Sequence, residues 1–190
     1  MTASKKTDNH DPRAKLNLRR YFLEKYHRDG HGRVLDCCMG SGFIWRELQR
    51  EWKVASYVGL DVMPKKGRLK IDSARYLEAG GWDHDIIDID TYGAPWKHWV
   101  AMLEHMGTSA TAFLTIGRGR GESSVMDNAS KKAMGIYGMS IPPTIRGELW
   151  GLGVVYSLTA VDSYGIEITE ALEAESTGNA RYIGVRLRRK

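Results

Sequence analysis

The chain has 190 residues, 42% of them hydrophobic and 27% charged, with a formal net charge of +5. This length favours one domain that buries its own core, and the composition is ordinary for a soluble globular protein. No apolar run approaches the roughly 18 residues of a membrane span, and the amino terminus lacks the apolar segment of a signal peptide. The sequence therefore predicts a cytoplasmic protein with no membrane partner.

A polar segment and then a helix open the chain. Residues 1–11 are predicted to be a disordered tail, and residues 12–190 a single domain. Pro12 suits the first turn of a helix, and an apolar stripe at helical spacing continues to Tyr26. Short β-rich runs and helical segments then alternate: strand Arg33–Asp36, helix Phe43–Trp52, strand Ser56–Leu60, strand Leu69–Ile71, helix Ala74–Ala79, strand Asp85–Ile89, helix Trp96–Met106 and strand Ala112–Ile116.

The alternation stops after the strand that ends at Ile116. Residues 117–143 hold many glycines, charges and two prolines, which predicts a long loop that acts as a lid or contacts substrate. A helix is expected over Ile145–Leu158, followed by two antiparallel strands, Ile166–Ala171 and Tyr182–Leu187, that close the sheet. The whole pattern predicts an α/β fold, a doubly wound and mostly parallel sheet with helices on both faces.

The segment VLDCCMGSG, residues 34–42, carries a glycine turn between a buried strand and a helix. The backbone of Gly40, Ser41 and Gly42 is expected to lie under a ligand, because a side chain there would block it. Cys37 and Cys38 are adjacent and cannot form an ordinary structural disulfide, so they are interpreted as reduced thiols with structural roles.

Acids follow the ends of four predicted strands, where ligands bind in open α/β sheets. They are Asp36, Asp61, Asp72 and Asp90. A cofactor with an amine, a ribose and an adenine would use the first three differently. Asp36 would meet the amino group, Asp61 would accept the ribose hydroxyls, and Asp72 with Ser73 would accept from the adenine amine. Val62, next to Asp61, is also expected to bind the cofactor.

The same turn argues against a nicotinamide cofactor. Trp45 stands where a third glycine is needed, and Asp36 precedes the glycines, where it would repel a pyrophosphate. The segments VLDCCMGSG, YVGLD and LKIDS resemble the successive cofactor motifs of class I S-adenosylmethionine-dependent methyltransferases over about residues 33–117. The resemblance implies S-adenosyl-L-methionine as cofactor and a seven-stranded sheet with an antiparallel last strand. It also assigns Asp61 to the ribose and Asp72 with Ser73 to the adenine.

The segment that begins at Asp90 bears on the type of reaction. Its sequence DTYGAP resembles the D-P-F-G-S-P motif of tRNA guanine-N2 dimethyltransferases, with Thr91 in place of the first proline. In that resemblance Asp90 would hold an exocyclic amine for in-line methyl transfer, and Tyr92 would stack on the base. Asp88, two residues earlier on the same strand face, would support Asp90 or be a buried structural acid.

Basic residues crowd the first helix, the loop Arg118–Arg120 and the carboxyl terminus, which is compatible with an anionic partner. Arg118 and Arg120 are candidates for substrate binding. The expected partner is a nucleic acid, RNA more than DNA, and no metal is expected, because His98 and His105 lack partners at metal-ligand spacing. Two alternatives remain: a methyltransferase of a small molecule or protein, and a non-catalytic module that binds cofactor or RNA.

Overall fold

A computed structural model describes residues 11–63, 70–91, 95–117, 160–174 and 180–190. Within these ranges the helices are α1 (Pro12–Tyr26), α2 (Phe43–Leu48), α3 (Ser73–Ala79) and α4 (Trp96–His105). The strands are β1 (Arg33–Asp36), β2 (Ser56–Gly59), β3 (Ile86–Ile89), β4 (Ser109–Gly117), β5 (Ile166–Ala174) and β6 (Ala180–Arg189). A 3-10 turn, Ala160–Tyr164, precedes β5.

The strands form one mixed sheet in the order β2-β1-β3-β4-β6-β5. Strands β1 to β4 are parallel, and β6 runs antiparallel to both of its neighbours. The α/β fold and the antiparallel last strand are therefore confirmed. The described residues contain six strands instead of the expected seven. Of the predicted strand Leu69–Ile71, residues 70 and 71 are described, and they contribute only an isolated parallel bridge between Lys70 and Asp61.

Helices cover both faces of the sheet, as the sequence predicted. Alternate strand residues point to opposite faces. Val34, Ile86 and Phe113 pack with α1 and α2, whereas Leu35 and Ile87 belong to the cluster that includes α3 and α4. A pair of helices thus packs on each face of the sheet, and the central strands β3 and β4 are almost wholly buried.

The start of α1 is determined by the residues at its amino terminus. Asp11 caps the helix by accepting a hydrogen bond from the backbone N–H of Ala14, and Pro12 occupies the first turn. The predicted helix to Tyr26 is confirmed. None of the helices in the described ranges is long and apolar enough to cross a membrane. The predicted tail up to residue 10, the helix at 145–158 and the loop from residue 118 onward lie outside the described residues.

Candidate functional site

The glycine turn after β1 lies at the carboxyl edge of the sheet, where the strand order reverses between β1 and β3. Gly40 and Gly42 have φ angles of +50° and +67°, a left-handed conformation that favours glycine. A Cβ added to Gly40 would meet no atom of the described residues within 4 Å, so the described part of the chain leaves this backbone open. The turn leads through Ser41 into α2, whose N-cap is Gly42. Such a backbone suits close approach by a ligand.

Asp61 joins the end of β2 to this glycine turn. One carboxylate oxygen accepts from the backbone N–H of Gly40 at 2.9 Å, and the other from that of Met63 at 2.7 Å. Each carboxylate oxygen has a second lone pair, so Asp61 keeps capacity for two further donors. Val62 follows with half of its surface exposed, at 51%. The structure thus brings together two of the predicted cofactor motifs.

Asp72 and Ser73 begin α3. Asp72 is the N-cap, with one oxygen accepting from the backbone N–H groups of Ala74 and Arg75. Burial, the largest single cause, works against ionisation of Asp72, but these backbone hydrogen bonds together with the charges of Lys97 and Arg75 outweigh it and lower the pKa of the carboxyl. The Ser73 hydroxyl is buried and lies 2.9 Å from Nε2 of His98 on α4.

Asp36 ends β1 in a buried position, 4% exposed. Its carboxylate accepts a hydrogen bond from the hydroxyl of Tyr57 at 2.9 Å. Burial, and next the charge of Asp88, raise the pKa of Asp36 well above its usual range, and the Tyr57 hydrogen bond only partly opposes them. Within the described residues no cation forms an ion pair with Asp36. The site therefore presents a buried carboxyl group suited to an incoming ammonium.

Asp88 lies on β3 directly opposite Asp36 in the parallel register. Its two oxygens accept from Nε and Nη2 of Arg19 at 2.7 and 2.6 Å. Trp45 adds a third hydrogen bond through its indole N–H, also at 2.7 Å. Burial alone would lower the pKa of Arg19, but the charge and hydrogen bonds of Asp88 outweigh it and raise that pKa. Of the two interpretations of Asp88, the contacts support the buried structural acid.

Asp90 follows β3 on the same face as Asp88. Both of its oxygens lie 2.6 Å from the ammonium nitrogen of Lys15, which is itself buried. The next residue, Thr91, has a buried hydroxyl with no hydrogen-bond partner among the described residues. The predicted amine-binding carboxylate is thus at the switch point of the sheet, and a cation from α1 neutralises it.

Three predicted site residues cannot be placed. Tyr92, Arg118 and Arg120 lie outside the described residues. The carboxyl-terminal basic residues pair within the molecule: Arg181 with Glu173, Arg188 with Glu167, and Lys190 with Asp162. The first two pairs join β6 to β5, and the third joins the residue after β6 to the 3-10 turn that precedes β5.

Lys15, Arg19, Tyr57 and His98 contact the predicted site residues, and sequence reasoning assigned none of them to the site. For two of them, Lys15 and Arg19, the sequence pattern could have indicated a buried ion pair. Lys15 and Arg19 are one helical turn apart and lie on the buried side of α1, with Leu18 and Phe22. Cations on the apolar stripe of a helix indicate buried acidic partners, since such charges are rarely buried unpaired.

The strand order, the antiparallel last strand and the glycine turn define a Rossmann-like methyltransferase fold. The chain is a structural match to class I S-adenosylmethionine-dependent methyltransferases. No family model and no curated protein sequence matches the chain.

Several solved structures support this assignment of the fold. Trm1 from Pyrococcus horikoshii, in complex with S-adenosyl-L-methionine, matches 95% of this chain with a TM-score of 0.63 and 15% identity. The match covers 56% of the Trm1 chain, so this chain spans little more than half of that structure. A putative methyltransferase from Escherichia coli, yhhF, matches over 99% of this chain and 89% of its own, with a TM-score of 0.54 and 15% identity. TYW2 of M. jannaschii, in complex with AdoMet, matches 94% of this chain and 77% of its own, with a TM-score of 0.52 and 10% identity.

Proposed function

We propose that the chain is an S-adenosylmethionine-dependent methyltransferase that methylates an amino group on a nucleic acid base, RNA more than DNA. The observation that carries the proposal is the arrangement at the switch point of the sheet. Asp61 contacts the glycine turn that follows β1, and Asp90 follows β3, the strand that pairs with β1. Ligands bind at this edge in open α/β sheets, so cofactor and acceptor would meet there.

The residues at this edge fit the cofactor. No atom among the residues that the structure describes lies within 4 Å of a Cβ placed on Gly40, so a ligand could approach this backbone closely. Asp36 would face the cationic amino group, whose charge favours the ionised carboxylate that burial opposes. Asp61 has lone pairs for the ribose hydroxyls, and Asp72 with Ser73 would contact the adenine. Gly42, Ser41 and Val62 complete the proposed contact set.

The cofactor, when bound, supplies a methyl group on a sulfonium, and the sulfur becomes a neutral thioether as the carbon–nitrogen bond to the acceptor forms. Asp90 would accept an N–H of the acceptor amine, hold it in line, and offset positive charge that develops on nitrogen. Tyr92 would stack on the base. The amine proton leaves to solvent or to Asp90. The matched Trm1 belongs to the tRNA guanine-N2 dimethyltransferases that the Asp90 segment resembles, which supports a nucleobase amine.

One observation favours a second candidate, a non-catalytic module that binds cofactor or RNA. Lys15 contacts both oxygens of Asp90, so an acceptor amine has to share or displace that cation. A methyltransferase of small molecules or proteins is the remaining alternative on the same fold.

Two measurements separate these candidates. A thermal-shift panel of S-adenosylmethionine, S-adenosylhomocysteine and NAD tests the cofactor, because a ligand at 100 times its dissociation constant adds about 2.7 kcal/mol of stability. Stabilisation by NAD alone would contradict the proposal. Radiolabelled methyl transfer into RNA, DNA, protein and small-molecule pools tests the acceptor. Label in RNA supports the proposal, whereas cofactor binding with every pool inert supports the non-catalytic module.

A further inference from the structure

Three elements converge on the Ser73 hydroxyl, which the proposed function assigns to the adenine end of the cofactor. Ser73 is the first residue of α3, and its Oγ lies 2.9 Å from Nε2 of His98 on α4. From the turn after β1, Sγ of Cys38 lies 4.0 Å from the same oxygen. Ser73 is a buried residue, 3% exposed. Its orientation is therefore set by protein partners and not by solvent.

His98 is the partner that can fix this orientation. A hydroxyl rotates freely unless a neighbour selects one direction, and the thiol at 4.0 Å is a weak hydrogen-bonding group. Burial, the largest cause, and the charge of Lys97 together lower the pKa of His98 to about 4. Asp72 and Glu78, the acids that face it, oppose this shift. The imidazole is thus neutral near pH 7 and forms a fixed hydrogen bond with Ser73.

We infer that His98 is a positioning residue for the purine-binding part of the cofactor site, acting through Ser73. This inference rests on the proposed function, and it adds a residue that lies on a different helix from the cofactor motifs. It requires that loss of the imidazole weakens every ligand that carries the adenine, whether or not it carries the amino-acid part. It also requires that the loss disappears when Ser73 has no hydroxyl.

The experiment is a double-mutant cycle on binding, with adenosine and S-adenosylhomocysteine as the two probes. We expect His98→Ala and Ser73→Ala each to weaken both ligands by about 5- to 10-fold, the scale of one hydrogen bond. The double variant should be no weaker than either single variant, because both remove the same interaction. His98→Gln retains a polar group near the position of Nε2 and should recover most of the affinity.

His105→Ala is the matched control, since it removes an exposed imidazole one heptad further along the same helix. It should leave both affinities unchanged. If His98→Ala does not fold, the cycle is run with His98→Gln and Ser73→Ala instead. The double variant Ser73→Ala/His98→Gln is then expected to bind both ligands with the affinity of Ser73→Ala. Effects of His98 and Ser73 that multiply, or wild-type affinity in a folded His98→Ala, would overturn the inference alone. A wild-type protein that binds neither probe would overturn the proposed function as well.

Discussion

Lys15 places its ammonium nitrogen 2.6 Å from both carboxylate oxygens of Asp90, across 75 positions of the chain. The same nitrogen lies 5.1 Å from the centre of the Tyr182 ring on β6, so the cation is held on two sides. The Lys15 side chain is 5% exposed, whereas the Asp90 side chain is 18% exposed and is the member of the pair that an acceptor can reach. Through Lys15, the helix α1 thus supplies the positive charge beside Asp90 at the proposed reaction centre.

Removal of this cation tests whether it orients Asp90. We expect Lys15→Met to lower turnover by about 10-fold or more with little change in cofactor affinity, because Asp90 loses the partner that fixes both of its oxygens. Lys15→Arg retains the charge and should recover part of the activity. Steady-state methyl transfer and calorimetric binding of S-adenosylhomocysteine measure the two effects separately.

Arg13→Met is the control for that variant, because it removes the same charge from an exposed position on the same helix. It should leave turnover unchanged unless α1 itself contacts RNA. A rise in turnover for Lys15→Met would contradict the positioning role and indicate that Lys15 blocks the acceptor amine.

The buried pair of Arg19 and Asp88 stabilises the fold. Arg19→Met should lower the free energy of unfolding by about 3–5 kcal/mol, because it leaves the Asp88 charge buried with only the Trp45 N–H as a donor among the contacts described above. The double variant Arg19→Met/Asp88→Asn should recover part of that loss. Urea denaturation measures both.

An exposed ion pair made by another arginine of α1 provides the comparison. Arg20 pairs with Glu51 at 2.6 Å, but both side chains are partly in solvent. Arg20→Met should therefore change the free energy of unfolding by less than about 1 kcal/mol. Equal losses of unfolding free energy for Arg19→Met and Arg20→Met would show that the buried Arg19–Asp88 pair stabilises the fold no more than the exposed pair.

Cofactor binding should be linked to the ionisation of Asp36. Burial, then the charge of Asp88, raise its pKa, so at pH below that value the free protein holds a proton on Asp36. An ammonium at this carboxylate would favour its ionised form, so binding should release a proton and the affinity should rise with pH. Calorimetry of S-adenosylhomocysteine in two buffers with different ionisation enthalpies measures the proton release.

Asp36→Asn should abolish the proton release and weaken S-adenosylhomocysteine. Adenosine, which lacks the amino-acid part and its cationic α-amino group, should bind the variant as it binds the wild type and should release no proton at Asp36. Proton release that persists in Asp36→Asn would assign the linkage to another group.

Stability should fall in mild acid because of His27. Its Nε2 lies 2.9 Å from the Thr111 hydroxyl, and burial, then the charge of Arg186, lower its pKa to about 4. Between about pH 6.5 and pH 4 the unfolded chain binds a proton that the folded chain does not, so stability decreases as pH falls. The slope is at most about 1.4 kcal/mol per pH unit for each such histidine.

The melting temperature of His27→Gln should depend less on pH across this window than that of the wild type. The residual slope should include His98, whose pKa is lowered to about 4, primarily by burial. His31→Gln removes an exposed histidine and should leave the wild-type profile intact. Identical pH profiles for His27→Gln and the wild type would contradict the assignment.

Local features of the sequence were sufficient to predict the elements that position the site. Pro12 fixed the start of α1, and the glycines fixed the turn after β1, because both act through backbone geometry. Acids at strand ends could be assigned to one edge, since parallel strands all end there. The predicted helix from Phe43 ends at Leu48 and not at Trp52, a difference at the boundary, where local signals are weakest.

The charge network around those acids could not be predicted in the same way. Lys15 and Arg19 find their partners 75 and 69 positions away, and nothing local specifies which acids they meet. His98 was considered only as a metal ligand, whereas its contact with Ser73 depends on the packing of α3 against α4. These contacts follow from tertiary structure, which a pattern of residue types does not encode.

The most direct test of the central claim compares Asp90→Asn and Asp90→Ala with the wild type in single-turnover methyl transfer into RNA. S-adenosylhomocysteine affinity is measured on the same preparations, and Asp90→Ala/Lys15→Met controls for the cation that Asp90→Ala leaves unpaired. The account predicts nearly unchanged cofactor affinity and a loss of at least about 100-fold in the rate for all three. Wild-type rates in folded Asp90 variants would contradict it.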